Sequence, residues 1–117
     1  WKELTGIYMP WVKMDGEIPF YTEGRRWQRQ QHIYSSPFYY IDYCLAQSVA
    51  LMFWDAAQKD RKGAWDKYMK LISYSGTLTF NDLLKAVGFR LPMEEGALSG
   101  LARSAMSFLD GMDTSKF

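Results

Sequence analysis

The chain has 117 residues, which suits one domain with enough material for a core. Hydrophobic residues make up 48% and aromatics 17%, so disorder is excluded outside the ends. A net charge of +1 argues against nucleic acid or an anionic membrane surface as a partner, and the single cysteine, Cys44, rules out an intrachain disulfide.

The N-terminus reads "WKELTGIYMP", without the basic start and apolar run of a signal peptide. It opens on Trp1 with no initiator Met, as a fragment of a longer chain would. Residues 1–23 carry Gly6, Pro10, Gly16 and Pro19 among scattered aromatics, predicting a short helical turn followed by loop. Residues 24–35, "GRRWQRQQHIYS", fit either helix or extended chain. Pro37 biases Ser36 away from helical dihedrals and can itself open the next helix.

From Phe38 to about Gln58 the chain is apolar almost all round, and its Ala, Leu, Met and Gln favour helix. Such a helix is buried in a sizeable protein or spans a membrane. Asp42, Gln47 and Asp55 argue against spanning, because each is costly in hydrocarbon.

Residues 60–75 place Ala64, Trp65, Tyr68, Leu71 and Ile72 at helical spacing, with Gly76 as a cap. Thr79 with Asp82 approximates a capping box opening a short helix with Phe80, Leu83, Leu84 and Val87 inward and Gly88 at its end. The last helix is expected from about Met93 to Met112, on a stripe of Ala97, Leu98, Leu101, Ala102, Ala105, Phe108 and Leu109. Gly96 and Gly100 weaken it by about 1 kcal/mol each relative to Ala. The tail "DTSKF" reads as frayed. The expected fold is all-α, with four to five helices.

The chemistry is sparse. One His and one Cys cannot build the common zinc sites, and neither H-E-x-x-H nor a phosphate loop is present. Cys44 lies in an apolar stretch and reads as an inert core thiol. What remains is "HIYSSPFYYIDY", residues 32–43, with the only histidine and four tyrosines. On a helix starting near Phe38, Tyr40, Tyr43 and Gln47 share a face, and Tyr39 and Tyr43 share one at i, i+4. Phenol and imidazole donors converging on a point suit an oxyanion. Spacing alone favours the plainer reading of core aromatics.

Residues 24–54, "GRRWQRQQHIYSSPFYYIDYCLAQSVALMFW", resemble the C-terminal catalytic region of the oligoendopeptidase F enzymes. These belong to the thimet oligopeptidase-like zinc metallopeptidases. The resemblance rests on "GRRWQRQ", "HIY" and "SPFYYIDYCLAQ". It continues more loosely through "TLTFNDLLKAVGFRLPMEEGALSGLA", which is similar to the family's closing helices. Enzymes of the family are several-fold longer than this chain.

The resemblance implies a C-terminal portion, residues 1–117, of the catalytic domain of a zinc metalloendopeptidase for oligopeptides. In the family, an H-E-x-x-H helix and a later glutamate bind zinc, and the motif glutamate activates the attacking water. None of these is in this chain, so the fragment alone should be inactive. The family's histidine and tyrosine donors to the scissile oxygen map onto His32, Tyr40 and Tyr43. Tyr39 is the ambiguous neighbour, and with Tyr34 a substrate contact. The His-to-Tyr spacing is shorter than in thimet-like members, which leaves the register open. A cytoplasmic location is expected.

Other features have plain readings. Arg25, Arg26 and Arg29 around Trp27 fit a solvated or carboxylate-paired face better than nucleic-acid contact. Trp27, Trp54 and Trp65 read as core or interdomain packing, "KDRK" (59–62) as a solvated helix junction, and Glu94 and Glu95 as helix N-terminal charges. The rival hypothesis is a stand-alone helical interaction module, monomeric with a closed core. A severed piece would instead expose apolar surface and form homo-oligomers. A membrane-associated helix pair is remote.

Overall fold

The computed structural model of the chain describes residues 1–13, 16, 18–113 and 115. Among them the architecture is all-α. It comprises α1 (Lys2–Tyr8), α2 (Pro19–Thr22), a 3-10 helix (Arg25–Arg29), α3 (His32–Ser35), α4 (Ile41–Lys59), α5 (Arg61–Ser73), α6 (Phe80–Ala86) and α7 (Ala97–Asp110). The five longest of these, α1 and α4 to α7, have seven residues or more, in line with the four or five expected. The chain divides into two compact units, Trp1–Asp42 and Tyr43–Phe117. Most of the tail expected to fray lies outside the described residues.

In the first unit, Pro19 opens α2, where its missing N–H costs nothing. Gly24 then takes left-handed dihedrals, φ 72°, and starts the 3-10 helix. A β-carbon there would lie 2.7 Å from Lys2 Cβ and 2.8 Å from Lys2 Cα and N, so only glycine lets this turn close on α1. The Trp1 and Trp27 rings lie 6.4 Å apart, and the buried Thr5 hydroxyl donates to the Trp1 carbonyl at 3.0 Å. The segment 24–35 thus resolves into two short helical turns, broken where Gln30 extends with φ −79° and ψ 94°.

Ser36 ends α3 with φ −146° and ψ 70°, the non-helical geometry expected before Pro37. Pro37 does not open the next helix. Phe38 sits at φ 68°, and a left-handed residue cannot continue a right-handed helix. Residues 37–40 form a turn, and α4 begins at Ile41.

The second unit is built on aromatic contacts. Phe53 of α4 meets Tyr68 of α5 edge-on at 5.6 Å and Phe89 beyond α6 at 4.8 Å. Lys67 Nζ stands 5.1 Å over the Phe89 ring. Ala64, Leu84 and Val87 are buried, as expected for the inward faces of α5 and α6. Trp54 meets Phe108 of α7 edge-on at 5.2 Å. Asp60 caps α5 by accepting from the Gly63 N–H at 3.0 Å, and Lys59–Asp55 and Lys62–Asp66 pair along the exposed helix junction.

The caps of α6 match the sequence. The Thr79 hydroxyl accepts from the Asp82 N–H at 3.3 Å and donates to the Asp82 carboxylate at 2.7 Å. At the other end Gly88, φ 74°, reverses the chain. Its N–H donates to the Lys85 carbonyl, and the Phe89 N–H donates to the Leu84 carbonyl.

Several expectations are corrected. No residue of α4 is buried, because its neighbours in the second unit engage it mainly around Phe53 and Trp54. Cys44 is exposed, so it is no core thiol. Trp65 is 60% exposed, so of its two expected roles the core one is ruled out and interdomain packing is the one compatible with the structure. The last helix starts at Ala97, since Gly96 at φ 74° is its N-cap and ends the preceding turn. Glu94 lies before that helix and binds Arg90 at 3.1 Å, so it is not a partner of the helix dipole.

Candidate active site

The site is local to the first unit and follows from two breaks in the helical chain. The first is the extended Gln30, which sets α3 off from the 3-10 helix. Residues two apart do not meet on a helix. With Gln30 extended they do: its Nε2 lies 2.6 Å from His32 Nδ1, partly buried. The second break is the turn at 37–40. It carries Tyr39 and Tyr40 back to His32, with ring centroids 6.1 Å away at 18° and 5.0 Å away at 43°. The Asp42 N–H donates to the Tyr39 carbonyl at 3.0 Å, fixing the turn to the start of α4.

So His32, Tyr39 and Tyr40 come together, though not as the helical stripe expected. Tyr39 and Tyr40 precede α4, and only Tyr43 and Gln47 lie on it. Tyr43 belongs to the second unit. Tyr34 is on α3 and is 62% exposed. Gln30 is the neighbour that sequence reasoning missed. It is one of three glutamines in "WQRQQH", and nothing local distinguishes them.

A cleft of 290 Å³ in the first unit includes Trp1, Met9, Trp27 and Ile33 in its lining, together with Gln30 and Tyr40. Its apolar walls suit an apolar side chain. Near it Arg25 pairs with Glu23, Arg29 Nη1 donates to the Tyr21 hydroxyl at 3.0 Å, and Arg26 lines the cleft itself.

The described residues contain no group of three or more His, Cys, Asp and Glu side chains that could hold a metal. They do not fit a zinc centre, which takes three or four such ligands. Among the described residues no helix is long and apolar enough to cross a membrane.

No protein-family model matches the chain, and no curated protein does. Two solved structures do. One is of an oligoendopeptidase F, with 37% identity and a TM-score of 0.84. The other is of PZ peptidase A with an inhibitor, with 34% identity and a TM-score of 0.84. Each match covers 97% of this chain and 20% of the other, so the chain spans one fifth of the length of these peptidases. In sequence and in fold, the chain resembles a C-terminal part of the oligoendopeptidase F-type peptidases.

Proposed function

We propose that this chain is the C-terminal part of a zinc metalloendopeptidase that cleaves oligopeptides. The observation that carries this reading is the likeness to oligoendopeptidase F along 97% of the chain at 37% identity. The complete peptidase then binds its zinc on residues outside this chain. This part supplies His32, Tyr40 and Tyr43 as hydrogen-bond donors to the scissile carbonyl oxygen as it becomes negative, while Tyr39 and Tyr34 contact substrate. The adjacency of the His32 ring to Tyr39 and Tyr40 supports that assignment. A preorganised donor is worth most where charge develops, since it needs no reorganisation during the reaction.

A self-contained interaction module is the weaker reading. It would close its own core, whereas among the described residues only Ala64, Leu84 and Val87 are buried hydrophobics. The lone cysteine suits a reducing compartment, and the cytoplasm is the proposed location.

The test is made in the complete peptidase containing this segment. Losing one oxyanion donor costs about 2.7–4 kcal/mol, or 10²–10³ in kcat. Tyr43→Phe should therefore slow turnover on the order of 10²-fold. His32→Ala should also lower kcat and leave zinc content unchanged. Near-normal turnover removes the residue from the site, and lost zinc reassigns His32 as a ligand.

A further inference from the structure

We propose that Gln30 is a positioning residue that fixes the tautomer of His32, placing the imidazole proton on Nε2. The inference deepens the reading of His32 as a donor to the carbonyl oxygen and rests on it.

The argument begins with what each nitrogen can do. A side-chain amide nitrogen carries two N–H donors and accepts nothing. A neutral imidazole has one N–H and one lone pair. With the Gln30 amide nitrogen placed 2.6 Å from Nδ1 of His32, we take Nδ1 as the acceptor, because two N–H groups cannot face each other at that separation. The proton then resides on Nε2.

The backbone that carries this side chain is held on both sides, at the main-chain N–H and C=O of Gln30. The Gln30 N–H donates to the Trp27 carbonyl at 2.9 Å, and the Gln30 carbonyl accepts from the Ile33 N–H at 3.1 Å. The Tyr39 ring lies nearly parallel to the imidazole, with centroids 6.1 Å apart. Partial burial of the Gln30–His32 contact limits competition from water.

The consequence is chemical. An imidazole with hydrogen on Nε2 can donate through that atom. The other tautomer would present a lone pair there and repel a developing oxyanion. Gln30 thus acts through His32 and need not touch the substrate, as residues behind a first ligand or donor commonly do.

His32 is the only histidine, so its imidazole resonances are unambiguous in the chain itself. Nitrogen–proton correlation NMR of the neutral imidazole should show the Nε2–H form in the unaltered chain. Gln30→Glu is nearly isosteric and offers only acceptors, so it should reverse the tautomer to Nδ1–H. Gln30→Ala should give a mixture. In the complete peptidase Gln30→Glu should lower kcat by about 10-fold with KM little changed.

Finding Nδ1–H in the unaltered chain would overturn the proposal, since the amide oxygen would then face the ring. So would one tautomer common to all three chains. If the tautomer follows Gln30 while His32→Ala leaves kcat intact, the positioning stands and the donor reading fails.

Discussion

The Tyr39 ring lies nearly parallel to the His32 imidazole, 18° between planes, while Tyr40 is closer, at 5.0 Å, and tilted by 43°. These two neighbours therefore relate to the histidine differently, and kinetics can separate them. If Tyr40 donates to the scissile oxygen and Tyr39 contacts bound substrate, Tyr40→Phe should lower kcat on the order of 10²-fold. Tyr39→Phe keeps the ring beside His32 and should raise KM with kcat unchanged. Steady-state kinetics on the complete peptidase checks this, and the opposite split moves the donor role to Tyr39.

Gly24 should tolerate no side chain. Its φ of 72° is left-handed, which costs a residue with a β-carbon about 1–2 kcal/mol. The contacts with Lys2 backbone atoms at 2.8 Å add to that cost, because backbone cannot move aside as a flexible side chain can. Gly24→Ala should thus destabilise the first unit by more than the dihedral term. Denaturant unfolding followed by tryptophan fluorescence in a Trp54→Phe, Trp65→Phe background reads this through the tryptophans of the first unit, and an unchanged midpoint contradicts it.

Thr79 should be worth about 1 kcal/mol to the second unit as an N-cap. Thr79→Ala loses both the bond from the Asp82 N–H and the one to its carboxylate. Thr79→Ser keeps the hydroxyl and should retain most of the stability. Equal urea midpoints for the two variants would show that the cap contributes nothing.

Asp55 carries a pH dependence. The hydrogen bond from Lys59 holds its carboxyl below the ordinary value of 3.8, burial opposes this, and a hydrogen bond with Ser104 of α7 adds to the lowering. A depressed folded-state pKa means that the folded form binds fewer protons. Its stabilisation is complete above pH 3.8 and is lost as pH falls through the lower folded value. The stability gap between the unaltered chain and Asp55→Asn should therefore be widest at neutral pH and shrink in acid. A gap that does not vary with pH would falsify this account.

The isolated chain should self-associate. Trp11 is 73% exposed, Phe38 96% and Trp65 60%, an unusual display of large apolar groups. Sedimentation of the 117-residue chain should find dimers or larger species that grow with concentration. A monomer at every concentration would favour the self-contained module.

What the sequence disclosed was mostly local. The Thr79–Asp82 cap and the inward Leu84 and Val87 depend on residues three or four apart, and these appeared as expected. The cluster of His32 with tyrosines was visible because it is crowded into twelve residues. A helix start at Phe38 falls three residues before α4 begins, since no propensity in "FYY" opposes helix and only the left-handed Phe38 breaks it. Gln30 was invisible because its contact with His32 depends on an extended backbone between two helical turns. Exposure of Cys44 and of Trp65 is a tertiary outcome, fixed by which neighbours reach each helix.

Leu84, 1% exposed, lies where the Phe89 amide returns to its carbonyl and the Gly88 amide to that of Lys85. The Phe89 amide, bonded to the carbonyl of buried Leu84, should open with the second unit as a whole and in deuterated solvent retain its proton longer than that of exposed Gly88. Along α4, which has no sealed residue, the amides should trade theirs through small local openings well before that.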